Sequence, residues 1–220
     1  MARRKSLAFL DVGQGDCFVA DTKSGAIIFD GGSSSEDQVG RYRILPYMKY
    51  LGYQKIQIAV ISHMDIDHYS GIKELLEMGK IKYLGLPEIP KDETMKKIIG
   101  IAKKRGTTIF YLSRGRQITT KDGSLKVLHP QKNSQMEKNA ASLVMQGKIL
   151  GYRVLLTGDV EKEGEEELLS EELERADILK AAHHGSKNST SNEFLQKVQP
   201  KQTVISCGKQ NRYGHPHLET

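Results

Sequence analysis

Six consecutive residues, His63-Met64-Asp65-Ile66-Asp67-His68, put two imidazoles and two carboxylates side by side. Imidazole nitrogen and carboxylate oxygen are ligands for divalent cations, and an ordinary polar loop seldom carries four of them in six positions. Alternate side chains of an extended segment share a side, so His63, Asp65 and Asp67 are expected together, with His68 added by a turn. That makes two pairs of ligands, the start of two adjacent metal sites. A second constellation, Leu155-Leu156-Thr157-Gly158-Asp159, delivers one carboxylate behind a glycine, and its two oxygens can bridge two cations. A third, Ala182-His183-His184-Gly185-Ser186-Lys187-Asn188, offers one histidine to complete a site. The other histidine, with Ser186, Lys187 and Asn188, can touch an anionic substrate, and the sequence leaves open which is which. His215 is a phosphate contact or proton donor, or else plain surface. Asp30, at a strand end before Gly31-Gly32, either orients a ligand or makes a turn. A set of nitrogen and oxygen donors without cysteine suits Zn(II), Mn(II) or Fe(II), and its carboxylate share favours Mn(II). Two such cations, about 3.5–4 Å apart, polarise a phosphoryl or carbonyl oxygen and activate water, so hydrolysis is the natural reaction class.

These residues need strands that end at one place. The apolar run 57–62 reads as a buried strand leading into the first cluster, with a helix over 71–78 after it. Strands are expected at 7–12, 17–20, 26–30, 81–86, 107–112 and 125–128, with turns at 115–117 and 121–123. Segments 141–146 and 152–157 read as a hairpin turning around 147–151, and strands 177–182 and 202–206 follow. Residues 41–51 form a weak helix interrupted by Pro46. Asp92 can cap a helix carrying Met95, Ile98, Ile99 and Ala102, and Ser191 can cap 192–198. This order predicts two sheets covered outside by helices.

At 220 residues and 24.6 kDa the chain is long enough for one domain, expected over 1–220, with a substantial core. A composition with 38% hydrophobic residues argues against disorder. No apolar run reaches membrane-span length and no leader follows the opening residues, so the chain is expected to be soluble as given. Cys17 and Cys207 lack disulfide-framework or zinc spacing. The net charge of +6 is unevenly spread: 96–132 holds ten Lys/Arg against one acid, and 159–177 holds ten acids against two bases. The basic stretch is either a phosphate-attracting face or a solvated helix with its loops; the acidic stretch reads as a solvated helix.

The three constellations resemble the motifs of the metallo-β-lactamase superfamily. Together with Phe9-Leu-Asp-Val-Gly-Gln-Gly-Asp16, Asp30-Gly-Gly32, Asn139-x-x-Ser142-Leu-Val144 and Asn211-Arg-Tyr-Gly-His-Pro-His217, the chain is similar to the C-terminal hydrolase domain of the ComEC/Rec2 competence family. The resemblance spans essentially the whole chain. It implies an α/β fold, the four-layer αβ/βα sandwich, with two divalent metal ions, Mn(II) or Zn(II). It also implies a nuclease that degrades the DNA strand not imported. Carried over, His63 and Asp65 serve one metal, Asp67 and His68 the other, Asp159 bridges, and His183 or His184 completes the second site. Asp16 and Asp30 support the ligands. Asn139, Ser186, Lys187 and Asn188 contact substrate, and Asp67, His183 and His215 form the catalytic set. Asp65 and Asn139 stand where the wider superfamily usually has histidines, which weakens the first site and argues against β-lactamase activity. The family's membrane segments are absent, so an excised domain of a membrane-associated channel protein or a free-standing relative is expected. The chain stops where the family continues into another helix and strand.

The expected activity is therefore metal-dependent hydrolysis of DNA, single-stranded by preference. The rivals are a small-molecule hydrolase (lactone, thioester or phosphocholine ester) on the same fold and a DNA-binding module with structural metals. A small closed pocket would favour the first rival; an open groove flanked by 96–132 would favour DNA.

Overall fold

The structure, a computed structural model, describes residues 5–137, 139–171 and 173–220. Residues 1–4, part of the opening read above as lacking a leader, lie outside it, as do Lys138 and Glu172 of the acidic stretch. Two six-stranded sheets face each other. The first runs in chain order through β1 (Leu7–Phe9), β2 (Phe18–Thr22), β3 (Gly25–Phe29), β4 (Ile56–Val60), β5 (Ile81–Pro87) and β6 (Thr108–Leu112). It is antiparallel from β1 to β3 and parallel from β3 to β6. The second holds β7 (Gln117–Thr120), β8 (Gly123–His129), β9 (Val144–Ile149), β10 (Tyr152–Leu156), β11 (Ile178–Lys180) and β12 (Gln202–Val204). It is antiparallel up to β10 and parallel beyond.

Period-two alternation divides the side chains into layers. Phe18, Ala20, Ile27, Phe29, Leu125, Val127, Met145, Val154 and Leu156 fill the space between the sheets. Val19, Ala26, Ile28 and Ala59 point outward, where α1 (Leu45–Tyr50), α2 (Ile66–Glu77) and α3 (Glu93–Lys104) cover them. Val144, Leu155 and Leu179 meet α4 (Lys162–Leu169) and α5 (Asn192–Val198) on the other side. This is the expected four-layer sandwich. Among the described residues no helix is long and apolar enough to cross a membrane.

Several boundaries differ from the sequence reading for local reasons. Helix α2 begins at Ile66, not 71, so Asp67 and His68 lie in its first turn instead of in an extended segment. The hairpin turns at Leu150-Gly151; Gly147 is within β9, where a Cβ would stand 2.1 Å from Ser124 O. Pro46 does not break the 41–51 helix, because it falls in the first turn of α1, where its missing N–H costs nothing. The acidic stretch is not wholly solvated: Glu165 is buried and accepts hydrogen bonds from Thr190 N and Ser191 N at 2.6 and 2.9 Å. Both predicted caps form, with Asp92 accepting from Met95 N and Ser191 from Phe194 N.

Candidate metal centre

The loops beyond the carboxyl ends of β4, β10 and β11 carry the three constellations to one place, the position where open α/β sheets put their ligands. The loop after β4 is clamped by backbone contacts: Asp16 N donates to Asp67 O, and Gly31 N to His68 O. Gly32 makes this approach possible, since a Cβ there would lie 2.6 Å from Asp67 C and His68 N. After β10 the chain turns at Gly158 in the left-handed region, with Ser62 of the opposite sheet 2.9 Å from where a Cβ would be. After β11, His183 and His184 both have positive φ, a strained backbone held by Ala182 N on Thr190 Oγ1 and by His183 N on Gly158 O.

Two imidazoles, His68 and His184, point Nε2 at the same carboxylate oxygen, and a third, His63, lies beside them. His68 Nε2 is 3.1 Å and His184 Nε2 3.3 Å from Asp159 Oδ2, and His184 Nε2 is 3.4 Å from Asp67 Oδ2. His63 Nε2 faces Asp65 Oδ2 at 3.8 Å, and its ring centre is 4.2 Å from that of His68. The Nε2 atoms of all three histidines, and Asp159 Oδ1, are buried without a hydrogen-bond partner. Their opposite nitrogens are engaged: Asp30 Oδ2 lies 2.9 Å from His68 Nδ1, Ser206 O 2.8 Å from His184 Nδ1, and Ser62 Oγ 3.0 Å from His63 Nδ1. Rings anchored at Nδ1 with orphaned, converging Nε2 atoms beside carboxylates fit divalent cations. His63, Asp65, Asp67, His68, Asp159 and His184 are the residues that could hold them.

Ligand atoms of Asp16, His68, Asp159 and His184 also lie within 4.8 Å of one another. Asp16, however, faces the Nδ1 sides of His68 and His184, at 3.8 and 3.7 Å, and pairs with the ammonium of buried Lys180. It stands behind the histidines. Lys180, 4% exposed, lies 3.7 Å from Asp159 Oδ1 and donates to Gly158 O at 3.2 Å. The sequence reading passed over it; a lysine inside the apolar run Ile178-Leu179-Lys180-Ala181 was the available sign.

Electrostatics bind this cluster together. Burial works against a charged His184, but Asp159 and Asp16 lift its pKa to about 9. Burial likewise opposes the His68 cation, and Asp159 and Asp30 more than offset it. His63 is driven well down by burial and by His68. Burial raises the Asp159 and Asp67 carboxyls, yet the neighbouring histidines hold both below their ordinary values.

A cavity of about 300 Å³ opens over the cluster, lined by Gln14, Ser34, Asp65, Asp67, Asp159, His183, His184, Arg212, Tyr213 and His215 among others. Of the histidine pair it is His184 that converges on the carboxylates. His183 sits at the rim, its Nε2 3.9 Å from Asp159 Oδ2 and its Nδ1 2.9 Å from Glu161. His215 packs edge-on to His183 at 5.5 Å, with Tyr213 stacked at 5.6 Å. Burial, then the neighbouring His183 and His217, lowers its pKa to about 4. Arg212 and Tyr213 escaped the residue-by-residue reading although they stand inside a quoted motif.

Four expected substrate residues are elsewhere. Ser186 accepts from Asn188 N and holds the turn. Lys187 and Asn188 line a separate cavity of about 550 Å³ with Glu137, Glu161 and Glu163, and Asn139 lines a neighbouring one. None of the 96–132 bases lines the cavity over the cluster, and several are taken by acids: Arg114 by Glu167 and Glu171, Lys96 by Glu93, Lys132 by Glu88. Of the two readings of the basic stretch, the phosphate-attracting face is not at this cavity.

A family model described as the metallo-beta-lactamase superfamily matches residues 10–209. The chain belongs to this superfamily. It is 37% identical to ComE operon protein 3 of Bacillus subtilis, 30% to competence protein ComA of Neisseria gonorrhoeae and 29% to recombination protein 2 of Haemophilus influenzae. Each alignment takes in 94% of this chain but only 29%, 27% and 25% of the relative, so the chain spans between a quarter and a third of their length. The metallo-β-lactamase fold protein YhfI of Bacillus subtilis superposes with a TM-score of 0.60 at 15% identity, over 92% of this chain and 82% of that one. Human tRNase Z, short form, gives 0.54 at 14% identity, over 93% and 92%. At such identities these two show the fold alone. Both the expected fold and the expected kinship with the competence proteins hold. The chain is a metallo-β-lactamase superfamily hydrolase with competence-protein relatives, and its buried Asp/His cluster points to divalent-metal binding.

Proposed function

We propose that this chain is a metal-dependent nuclease that hydrolyses phosphodiester bonds of single-stranded DNA during DNA uptake, beside or within a membrane channel protein. The observation that carries the reading is the set of orphaned Nε2 atoms converging with Asp67 and Asp159 on the floor of the cavity. His63, Asp65, Asp67, His68, Asp159 and His184 would hold two cations, Mn(II) or Zn(II). Such cations, when bound, supply an activated water and stabilise negative charge on phosphoryl oxygens.

The protein's own groups do the rest. Asp159 Oδ2 stands between His68 and His184, so this carboxylate would suit a position shared by the two ligand sets. Asp30 fixes the His68 ring from behind while its other oxygen accepts from Ser62 N at 2.7 Å. The Arg212 guanidinium at the mouth is a permanent cation suited to a phosphate diester. His215, held neutral, has a buried Nδ1 with no hydrogen-bond partner and is placed to meet a phosphate oxygen or the leaving group. A duplex cannot enter a cavity of about 300 Å³, whereas one nucleotide of a single strand can present its phosphate there.

The cavity's small size also favours a second reading, hydrolysis of a small ester. One experiment separates the two. Metal-stripped protein is given Mn(II), Zn(II) or Mg(II) separately, with end-labelled single- and double-stranded DNA, and Asp67→Ala as control. Cleavage of the single strand that returns with metal and disappears in Asp67→Ala supports the nuclease. Stoichiometric metal with no DNA cleavage, but with turnover of a lactone or thioester, would replace it with the second reading.

A further inference from the structure

The chain from 38 to 64 contains four bases, Arg41, Arg43, Lys49 and Lys55, four tyrosines and no acid. Six of these eight bases and tyrosines are presented by one continuous helical run: a π-helical turn, Gly40–Ile44, that passes directly into α1. Its inner side, Gly40, Ile44 and Met48, is buried in the outer core. Its outer side carries exposed rings among bases. Tyr42 is 63% and Tyr50 75% exposed, and Pro46 lies exposed between them at helical spacing, with Lys49 beside Tyr50 and Arg41 and Arg43 on the flanks. Two exposed aromatic rings about two helical turns apart, among three bases, are a poor solvated face. Of the acids nearby, Glu36 stands 3.8 Å from Arg43 in a half-exposed pair that salt screens.

This run is joined to the metal centre. A Cβ on Gly40 would lie 2.4 Å from Gly71 O, so its start rests on α2 about one turn, or roughly 5.4 Å, from Asp67. Arg41 N donates to Glu74 Oε2 of the same helix. The loop that leads into the run carries Ser34, which lines the cavity over the cluster, and Ser33, whose N–H donates to Ser70 Oγ. From that lip the exposed stripe extends along 11 residues, roughly 16 Å at 1.5 Å per residue.

We propose that this stripe is a track for single-stranded DNA leading to the metal centre, with Tyr42 and Tyr50 as stacking platforms and Arg41, Arg43 and Lys49 on the phosphates. Its destination rests on the nuclease reading; its chemistry does not. Aromatic faces accept unpaired bases whatever their sequence, and the basic flanks follow the backbone. A membrane surface fits less well, because an interfacial helix buries an apolar face in lipid, and the apolar face here is already packed in the core.

The test uses metal-free protein and a fluorescent oligo(dT), read by anisotropy. Tyr42→Ala and Tyr50→Ala should each weaken binding about tenfold, within the range for one stacked base. Arg41→Gln with Arg43→Gln should reduce the slope of log K against log salt by about 1.4, at about 0.7 per phosphate contact on a single strand. With metal added, the tyrosine variants should keep wild-type turnover of a dinucleotide, too short to reach the stripe, and show a raised KM for the oligomer. Wild-type oligo(dT) affinity in both tyrosine variants would overturn the track, whether or not the protein cleaves DNA. So would co-sedimentation with anionic vesicles that depends on these residues while oligo(dT) binding does not. Loss of binding in the variants of a protein that cleaves no DNA with any metal would support the track and sink the nuclease reading.

Discussion

Lys180 gives a measurable handle on the centre. It is 4% exposed, its ammonium pairs with buried Asp16, and Asp159 Oδ1 is 3.7 Å away. Burial would lower its pKa, but Asp16 and Asp159 raise it above the ordinary value, so the ammonium stays charged. Lys180→Met keeps the length and apolar stem, removes the charge, and leaves Asp16 and Asp159 without the ammonium they share, with the His68 and His184 rings as their remaining charged neighbours. Removing one partner of a buried ion pair costs about 3–5 kcal/mol, whereas replacing both is close to neutral. For a chain of this size each kcal/mol moves Tm by about 2–4 °C, so metal-free Lys180→Met should melt roughly 6–20 °C below wild type. Adding Asp16→Asn should recover at least half of that loss. Circular-dichroism melts of both variants in chelator, with urea titrations for the free energies, measure this directly. A single variant that loses less than about 1 kcal/mol, or a double variant no more stable than the single, would refute the reasoning.

Three further outcomes follow from distances around the cluster. Asp30→Asn, 2.9 Å from His68 Nδ1, should weaken metal binding about 10–100-fold in a chelator-competition titration; unchanged affinity would remove Asp30 from the centre. Gly32→Ala drives a methyl group against the backbone of Asp67 and His68, so a loss of about 1–3 kcal/mol in thermal melts and weaker metal uptake are expected, and a neutral variant would contradict the clamp. The raised pKa values of His68 and His184 give the metal-free fold a stabilisation that is complete below about 6.5 and is lost as pH rises through about 9 for His184. Metal must displace those same protons, so the rise in Tm on adding metal should grow from pH 6 to pH 9. A rise that stayed flat or shrank would break this account.

What the sequence disclosed depended on how local the cause was. The clustering of His63, Asp65, Asp67 and His68 is chemistry written in adjacent letters, and caps such as Asp92 and Ser191 act within three residues, so both could be read directly. Choosing His184 over His183 could not be done that way. Their backbones are similar, both left-handed, and the difference lies in Ser206 O anchoring one ring from 22 residues away. Strand alternation misled at Asp67 because Asp65 adopts an extended N-cap conformation and the helix starts at the next residue. Gly147 read as a turn because glycine marks turns, but here it marks a close approach by the neighbouring strand. Glu165 looked solvated because its neighbours are acidic, and only the fold shows it satisfying two N–H groups of a distant loop.

The placement of the centre ties its chemistry to the cohesion of the sandwich. The first sheet and its connections supply Asp30, His63, Asp67 and His68; the second supplies Asp159, Lys180 and His184. Neither sheet holds the whole set, and among the described residues the hydrogen bonds across the seam at this end include Leu143 N to Ser62 O, Ser206 Oγ to Gly15 O and Gly208 N to Gln14 Oε1. Cations held by ligands from both sides would bind only when the two sheets are docked, and binding restricted to the docked state stabilises it by mass action. The Lys180–Asp16 pair does a weaker version of the same work without metal, since β11 carries the lysine and the loop after β1 carries the aspartate. Two cationic clasps, one covalently part of the chain and one that would come from solution, would therefore hold the same seam, which is why removing the lysine should show most in metal-free protein.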